Sequence, residues 1–246
     1  MGRKLVDRGG RTSDFLSGID IPAATIVIRR SMSIAIPAAS PLVVCLGNPG
    51  QRYAMTRHNL GWWVADLLVG ASGHFLPGWG KFEYAVIPCG QTNVTVLKPL
   101  TFMNLSGHAL DEFAARHPVS PDRVTVVLDD IDLPLGQLRI RASGSAGGHN
   151  GLASLIESLG SEELARVRCG VGPVPDGVDP AEFVLAPFPE NELSLAREMA
   201  VRAAAAVRTI LTDGVAVAAN TYNRKPPAPD SPPGDEAGAD RPREGT

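Results

Sequence analysis

The chain has 246 residues, of which 44% are apolar, and its formal net charge is −3 at pH 7. This length holds one good-sized domain with tails or two small domains, and no apolar run approaches the roughly 20 residues that a membrane-spanning helix needs. The three cysteines are odd in number and widely spaced, which argues against a disulfide framework and fits a reducing cytoplasm.

The two ends of the chain differ in composition from its middle. Residues 1–40 show no periodic pattern, and Arg29 and Arg30 interrupt the apolar stretch that could otherwise form a signal peptide core. Residues 225–246 hold six prolines together with glycines and acidic residues, a composition that favours disorder. We therefore predict one folded domain over residues 41–224, between a disordered N-terminal extension and a disordered tail.

Predicted strands and helices alternate between these ends. Short apolar or alternating runs predict strands at 42–46, 83–88, 93–98, 124–129, 137–141, 166–171 and 182–186. Amphipathic runs with start and stop signals predict helices at 57–70, 106–117, 149–160 and 190–212. Some strands follow one another directly and others are separated by helices. This order predicts an α/β fold, a single globular domain whose twisted mixed sheet carries helices on both faces.

The segment from Gly47 to Gly61 is the most informative part of the chain. It starts with a Gly/Asn/Pro turn after the first predicted strand and runs into the first predicted helix. The side chains of Asn48, His58 and Asn59 are therefore expected at the rim of a sheet, where open α/β folds bind their ligands.

Three further segments place polar side chains at the ends of predicted elements. Asn104 follows one strand, Asp129 ends another, and Asn150 lies at the start of a helix. A carboxamide offers a donor and an acceptor without charge, so several converging carboxamides suit an amide or a carbonyl group better than a phosphate. Each asparagine taken singly is better explained by a helix cap or a turn, and a methionine such as Met103 more often packs in a core than lines a pocket.

The residue types favour one kind of chemistry. Asp129 could accept a hydrogen bond from one ring nitrogen of His58 and fix its tautomer, leaving the other nitrogen to take a proton from water. The chain has no G-x-S-x-G elbow, no P-loop, no H-E-x-x-H and no paired C-x-x-C motif, so a covalent nucleophile and a metal-bound water lose support. Water activated directly by His58, with no cofactor, remains.

Four motifs together resemble those of bacterial peptidyl-tRNA hydrolases. They are G-N-P-G-x-x-Y-x-x-T-R-H-N-x-G at 47–61, P-x-T-F-M-N-x-S-G at 99–107, D-D-I-D-L-P at 129–134 and G-G-H-N-G at 147–151. Their order and spacing fit the family over about residues 41–224. The resemblance implies a cytoplasmic monomer that needs no metal and hydrolyses the ester joining a peptide to the 3′ ribose of tRNA.

The resemblance also implies roles for individual residues. His58 looks like the catalytic base, Asp129 like its orienting partner, and Asn48 like the residue that helps to position substrate and water. The residues expected to contact the peptide or the tRNA end are Tyr53, Met103, Asn104, His149 and Asn150. The cations expected to contact tRNA phosphates are Arg139, Arg141 and Arg168, with Arg57 and Lys98 as further candidates. Because the chain is net negative, such a local patch would have to hold the tRNA.

Two other functions are compatible with these residues. An RNA-binding module that has lost turnover would keep the fold, but the intact His58 and Asp129 disfavour it. A generic small-ester hydrolase would keep the catalytic pair, act equally well on esters without tRNA, and be indifferent to charge reversal at Arg141 and Arg168.

Overall fold

A computed structural model describes Ile36 and residues 40–224 of the chain. Its regular elements run from Leu42 to Tyr222. The predicted C-terminal tail and the predicted N-terminal extension, apart from Ile36 and Ser40, lie outside the described residues.

A mixed sheet forms the centre of the described chain. Its strands are β1 (Leu42–Cys45), β2 (Leu76–Pro77), β3 (Phe82–Cys89), β4 (Thr92–Pro99), β5 (Val124–Pro134), β6 (Leu138–Arg141) and β7 (Ala165–Gly172). The spatial order of these seven strands is β2-β3-β4-β1-β5-β7-β6. The neighbours β4, β1, β5 and β7 run parallel, whereas β2, β3 and β6 pair antiparallel with their neighbours. The predicted mixed sheet is confirmed.

Helices cover both faces of this sheet. They are α1 (Leu60–Val69), α2 (Ser106–Ala114), α3 (Asn150–Leu159), α4 (Pro180–Leu185), α5 (Glu190–Asp213) and α6 (Val215–Tyr222). The helices α1 and α5 pack together on one face, α2 and α3 pack together on the other, and α6 lies against α5 and the edge strand β6. No helix in the described part of the chain combines the length and the apolar character that crossing a membrane requires.

The apolar run of the first strand is explained by its central position. Leu42, Val44 and Leu46 belong to the core beneath α2 and α3, while Val43 and Cys45 alternate with them and are equally buried. A strand covered on both faces needs a continuous apolar run rather than an alternating one. Fully burying one such side chain contributes about 1.5–3 kcal/mol, so this strand anchors the turn that follows it.

One predicted strand is wrong, because residues 182–186 mostly form the helix α4, which ends at Leu185. The helix starts where the Asp179 side chain accepts a hydrogen bond from the Ala181 N–H at 2.9 Å, and Pro180 occupies its first turn. An aspartate cap followed by proline is a strong helix start, and it overrides the strand preference of a short apolar run. The short strand β2 and the helix α6 are elements that the sequence pattern did not predict.

Candidate active site

Two histidines share one buried carboxylate at the rim of the sheet. Asp129, on β5, is only 2% exposed. The Nδ1 atom of His58 lies 2.8 and 2.9 Å from its two carboxylate oxygens, and the Nε2 atom of His149 lies 3.1 Å from Oδ1. The two rings are 5.0 Å apart between centroids. The structure thus brings together residues that are 71 and 20 positions apart in sequence.

The hydrogen-bond pattern assigns a tautomer to each ring. The Nδ1 atom of His149 accepts a hydrogen bond from the Leu152 N–H at 3.2 Å, so its proton sits on Nε2, which donates to Asp129. An ionised carboxylate only accepts, so His58 donates to it from Nδ1. The Nε2 atom of His58 is then unprotonated, and it makes no hydrogen bond to any described residue. It is a base with a free lone pair.

The charge state of Asp129 supports this assignment. Burial by itself would raise the pKa of Asp129, but the hydrogen bonds that His58 and His149 donate, together with the positive charge that each ring carries when it is protonated, outweigh burial. The net effect holds the pKa of Asp129 below its usual range. The Asp129 carboxylate is therefore ionised at neutral pH, where it orients His58.

The close approach of the histidine turn to the sheet depends on Gly61. His58 lies in a 3₁₀ turn, Arg57–Asn59, that leads directly into α1. A Cβ atom at Gly61 would lie 2.8 Å from the Val127 carbonyl oxygen and nearer still to that of Leu46. Only glycine lets the start of α1 rest against β1 and β5, which places His58 beside Asp129.

A second buried network lies behind the turn that follows β1. The Asn48 side chain accepts a hydrogen bond at Oδ1 from the Met103 N–H, at 2.8 Å. The Asn59 carboxamide pairs with the main chain of Asn48, accepting from its N–H at 2.8 Å and donating to its carbonyl oxygen at 2.9 Å. Within the described residues the Nδ2 group of Asn48 makes no hydrogen bond, so its two donors are open to a ligand.

The two histidines and Asp129 could also surround a metal ion, since their ligand atoms lie within 4.8 Å of one another. A metal on His149 Nε2 would move the ring proton to Nδ1, which faces the Leu152 N–H. Two donors would then point at each other, and the hydrogen bond that caps α3 would be lost. The observed contacts suit proton sharing better than metal binding.

A cluster of arginines lines a cavity next to these groups. In the antiparallel ladder of β6 and β7, Arg139 lies opposite Arg168 and Arg141 lies opposite Arg166. Residues two positions apart on a strand share a face, so the four side chains leave the sheet on the same side. Arg141, Arg166 and Arg168 line a cavity of about 250 Å³ together with the loop at 143–147.

Comparisons with known proteins identify the family of the chain. A family model described as peptidyl-tRNA hydrolase matches residues 42–230. The chain belongs to the peptidyl-tRNA hydrolase family. Peptidyl-tRNA hydrolases from Symbiobacterium thermophilum and Desulfitobacterium hafniense are 43% and 44% identical to it, over 74% of this chain and 98% and 99% of their own lengths. The crystal structure of peptidyl-tRNA hydrolase from Acinetobacter baumannii has a TM-score of 0.70 and 28% identity, covering 79% of this chain and all of that one.

The other residues predicted to contact the substrate of this peptidyl-tRNA hydrolase family member differ in how exposed they are. Asn104, in a 3₁₀ turn, and Asn150, the first residue of α3, are exposed. Tyr53 is half-buried, and the guanidinium of Arg52 lies over its ring at 4.6 Å. Met103 is only 5% exposed and packs in the core, so its side chain offers little surface to a ligand. Met103 contributes to the site through its main-chain N–H, which donates a hydrogen bond to the Asn48 side chain.

The expectation that Arg57 and Lys98 contact tRNA phosphates is wrong, because the structure buries both side chains. Arg57 is 6% exposed, pairs with Glu192 at 3.0 Å, and lies over the ring of Phe183 at 4.2 Å. Lys98 is 4% exposed and forms an ion pair with Asp66. Both cations hold elements of the fold together, because their charges are enclosed by protein partners.

The arginines of β6 and β7 are not equivalent. Arg168 forms ion pairs with Asp130 and, at 3.9 Å, with Asp132, so part of its charge is neutralised. Arg139 is half-buried and Arg141 is exposed, and neither has an ion-pair partner among the described residues.

Arg166 is a site residue that the sequence analysis missed. It is buried and donates to four main-chain carbonyl oxygens, those of Gly144, Ser145, Glu162 and Leu164. These bonds fix the glycine-containing loop that walls the cavity. The signal available in the sequence was its alternation with Arg168 on a predicted strand, which puts both on one face.

Proposed function

We propose that this chain hydrolyses the ester between a peptide and the 3′ ribose of tRNA, with His58 as general base for the attacking water. The observation that carries the proposal is the contact of His58 Nδ1 with the ionised Asp129 at 2.8 Å, since it leaves Nε2 as a free base. General-base assistance of this kind contributes about 10²–10⁴-fold to the rate. Membership of the peptidyl-tRNA hydrolase family supports the choice of substrate.

The proton and the electrons follow a balanced path. His58 Nε2 removes a proton from water as the water oxygen bonds to the ester carbonyl carbon, and the carbonyl oxygen becomes an oxyanion. Collapse of this intermediate breaks the bond from the acyl carbon to the ribose 3′ oxygen, which leaves with the proton held by His58. Asp129 stabilises the imidazolium that forms between the two steps.

The asparagines supply uncharged contacts to the acyl group. Because Oδ1 of Asn48 is occupied by the Met103 N–H, Asn48 faces the substrate with N–H donors. Donors placed at the carbonyl oxygen stabilise the oxyanion as it forms. Asn104 and Asn150 would contact the peptide main chain and the tRNA end, and Tyr53 and His149 would border the same groove.

The arginine cavity provides the electrostatic contact with tRNA. Arg139, Arg141 and Arg168 would face phosphates of the acceptor stem, which an A-form helix presents by shape rather than by sequence. Each phosphate contact adds about −0.9 to the slope of log affinity against log salt in duplex DNA, so a few contacts give a modest, salt-sensitive grip. We further propose that the protein acts as a cytoplasmic monomer without a metal.

The test is hydrolysis of an N-acetyl-aminoacyl-tRNA by wild-type protein and by His58→Ala. Loss of the base should lower kcat by about 10²-fold or more, while tRNA affinity is retained. The matched control is His108→Ala, since His108 is exposed on α2 and should be dispensable. Undiminished turnover by His58→Ala would refute the assigned base. Comparable rates on an N-acylated ester without tRNA would instead indicate a general esterase.

A further inference from the structure

We infer that Asn59 is a positioning residue, which fixes the direction of the Asn48 carboxamide relative to the base on His58. The inference rests on the proposed function, because it assigns Asn59 a part in the same reaction. Asn59 itself is only 1% exposed, so its side chain is too enclosed to contact water or the substrate directly.

The geometry joins the base and Asn48 through a single residue. Asn59 follows His58 in the same 3₁₀ turn. Its carboxamide grips both main-chain polar groups of Asn48, the N–H at 2.8 Å and the carbonyl oxygen at 2.9 Å. Asn59 therefore fixes the position of Asn48 relative to the turn that carries His58, although Asn48 and His58 are 10 positions apart in sequence.

The same grip decides which end of Asn48 faces the substrate. With the main chain held on both sides of Asn48, its side chain reaches the Met103 N–H with Oδ1, at 2.8 Å. The acceptor end is then used inside the protein, and the donor end is left for the ester carbonyl. If Asn59 released Asn48, the carboxamide could rotate and present an oxygen to the developing oxyanion, which would repel it.

A purely structural role for Asn59 makes a different prediction. Loss of two buried hydrogen bonds would destabilise the turn in either case. Only a positioning role predicts that the kinetic loss is transmitted through Asn48. A double-mutant cycle on the rate constant separates the two, because a residue that acts through another adds nothing once that other residue is gone.

The experiment measures kcat and KM on N-acetyl-aminoacyl-tRNA for wild type, Asn59→Ala, Asn48→Ala and the double variant. A displacement of about 1 Å at a reacting group can lower the reaction rate about 100-fold, so Asn59→Ala should lower kcat by about 10- to 100-fold. KM should change little, because the arginine cavity is untouched. The double variant should be no slower than Asn48→Ala alone.

A matched control exists elsewhere in the fold. The Asn223 carboxamide pairs with the main chain of Ile140 in the same reciprocal way, at 2.6 and 3.2 Å. Asn223→Ala removes an equivalent pair of hydrogen bonds, so it should lower Tm while leaving kcat at the wild-type value. Asn59→Asp is the second variant: aspartate can still accept from the Asn48 N–H but cannot donate to its carbonyl oxygen, so it tests the inference if Asn59→Ala does not fold.

The outcomes are distinct. A wild-type kcat in Asn59→Asp or Asn59→Ala, or kinetic losses that multiply in the double variant, would overturn the positioning role. Activity retained by His58→Ala would instead overturn the proposed function. An inactive His58→Ala together with a non-additive cycle for Asn48 and Asn59 supports both.

Discussion

His149 has two separable functions, and one pair of substitutions can measure them. Its Nδ1 atom caps α3 by accepting from the Leu152 N–H, and its Nε2 atom donates to Asp129. His149→Asn keeps a side chain that is well suited to cap a helix but too short to donate to Asp129 as the imidazole does. His149→Ala removes both interactions. The difference between the two variants therefore isolates the cap.

The magnitudes follow from the two contacts. A helix N-cap is worth about 0.5–2 kcal/mol, and a hydrogen bond to a charged group about 1.5–3 kcal/mol. His149→Asn should thus lower the free energy of unfolding by about 1.5–3 kcal/mol, and His149→Ala by about 2–5 kcal/mol. The pair of His58 and Asp129 remains in both variants, so kcat should fall much less than in His58→Ala.

Urea denaturation at pH 7 measures these differences, provided that the slope m is the same in all three proteins. Equal losses in His149→Asn and His149→Ala would refute the capping role. A free energy of unfolding unchanged in both variants would refute the hydrogen bond from His149 to Asp129 and, with it, the sharing of this carboxylate by two histidines.

Three further predictions concern charged groups. Because the folded-state pKa of Asp129 is lowered, its carboxylate stabilises the fold above pH 3.8, the ordinary pKa of an aspartate, and this stabilisation is lost as the pH falls further. In urea titrations from pH 6 to pH 2, Asp129→Asn should therefore show less acid destabilisation than wild type. Arg57→Ala, which leaves Glu192 unpaired, should lower the free energy of unfolding by about 1.5–3 kcal/mol in thermal or urea unfolding, with tRNA affinity unchanged. Arg141→Glu should raise KM for peptidyl-tRNA, leave kcat unchanged, and reduce the salt slope of tRNA binding by about 1; an unchanged salt slope would contradict the contact.

The elements that the sequence predicted well are those whose packing neighbours require one pattern of apolar residues. Residues 42–46 are apolar throughout and form the central strand, because both faces of that strand are covered. The run at 182–186 shows the opposite case, in which a local helix-start signal overrides the strand preference of a short apolar run. Asp179 and Pro180 mark a helix start, and this capping chemistry decides the structure of a segment too short for periodicity to do so.

The site was predictable as a set of residue types but not as a set of contacts. The motifs supplied His58 and Asp129, and the fold brings them within hydrogen-bonding distance. The burial of Arg57 and Lys98 could not be inferred, since their partners come from distant segments and a lone cation in a sequence reads as exposed. Likewise, the role of Asn59 appears only when its main-chain partner is known.

The distribution of charge suggests how a net-negative protein can hold a polyanion and still release it. The cation of Arg168 is oriented by Asp130 and Asp132, and this orientation costs it part of its attraction for a phosphate. Arg141 is exposed and has no such partner within the described residues, so it should carry more of the salt-dependent affinity. In the proposed mechanism, the uncharged donors of Asn48 face the acyl group. On that proposal, binding energy is concentrated where the oxyanion forms, which favours turnover over tight retention of the tRNA.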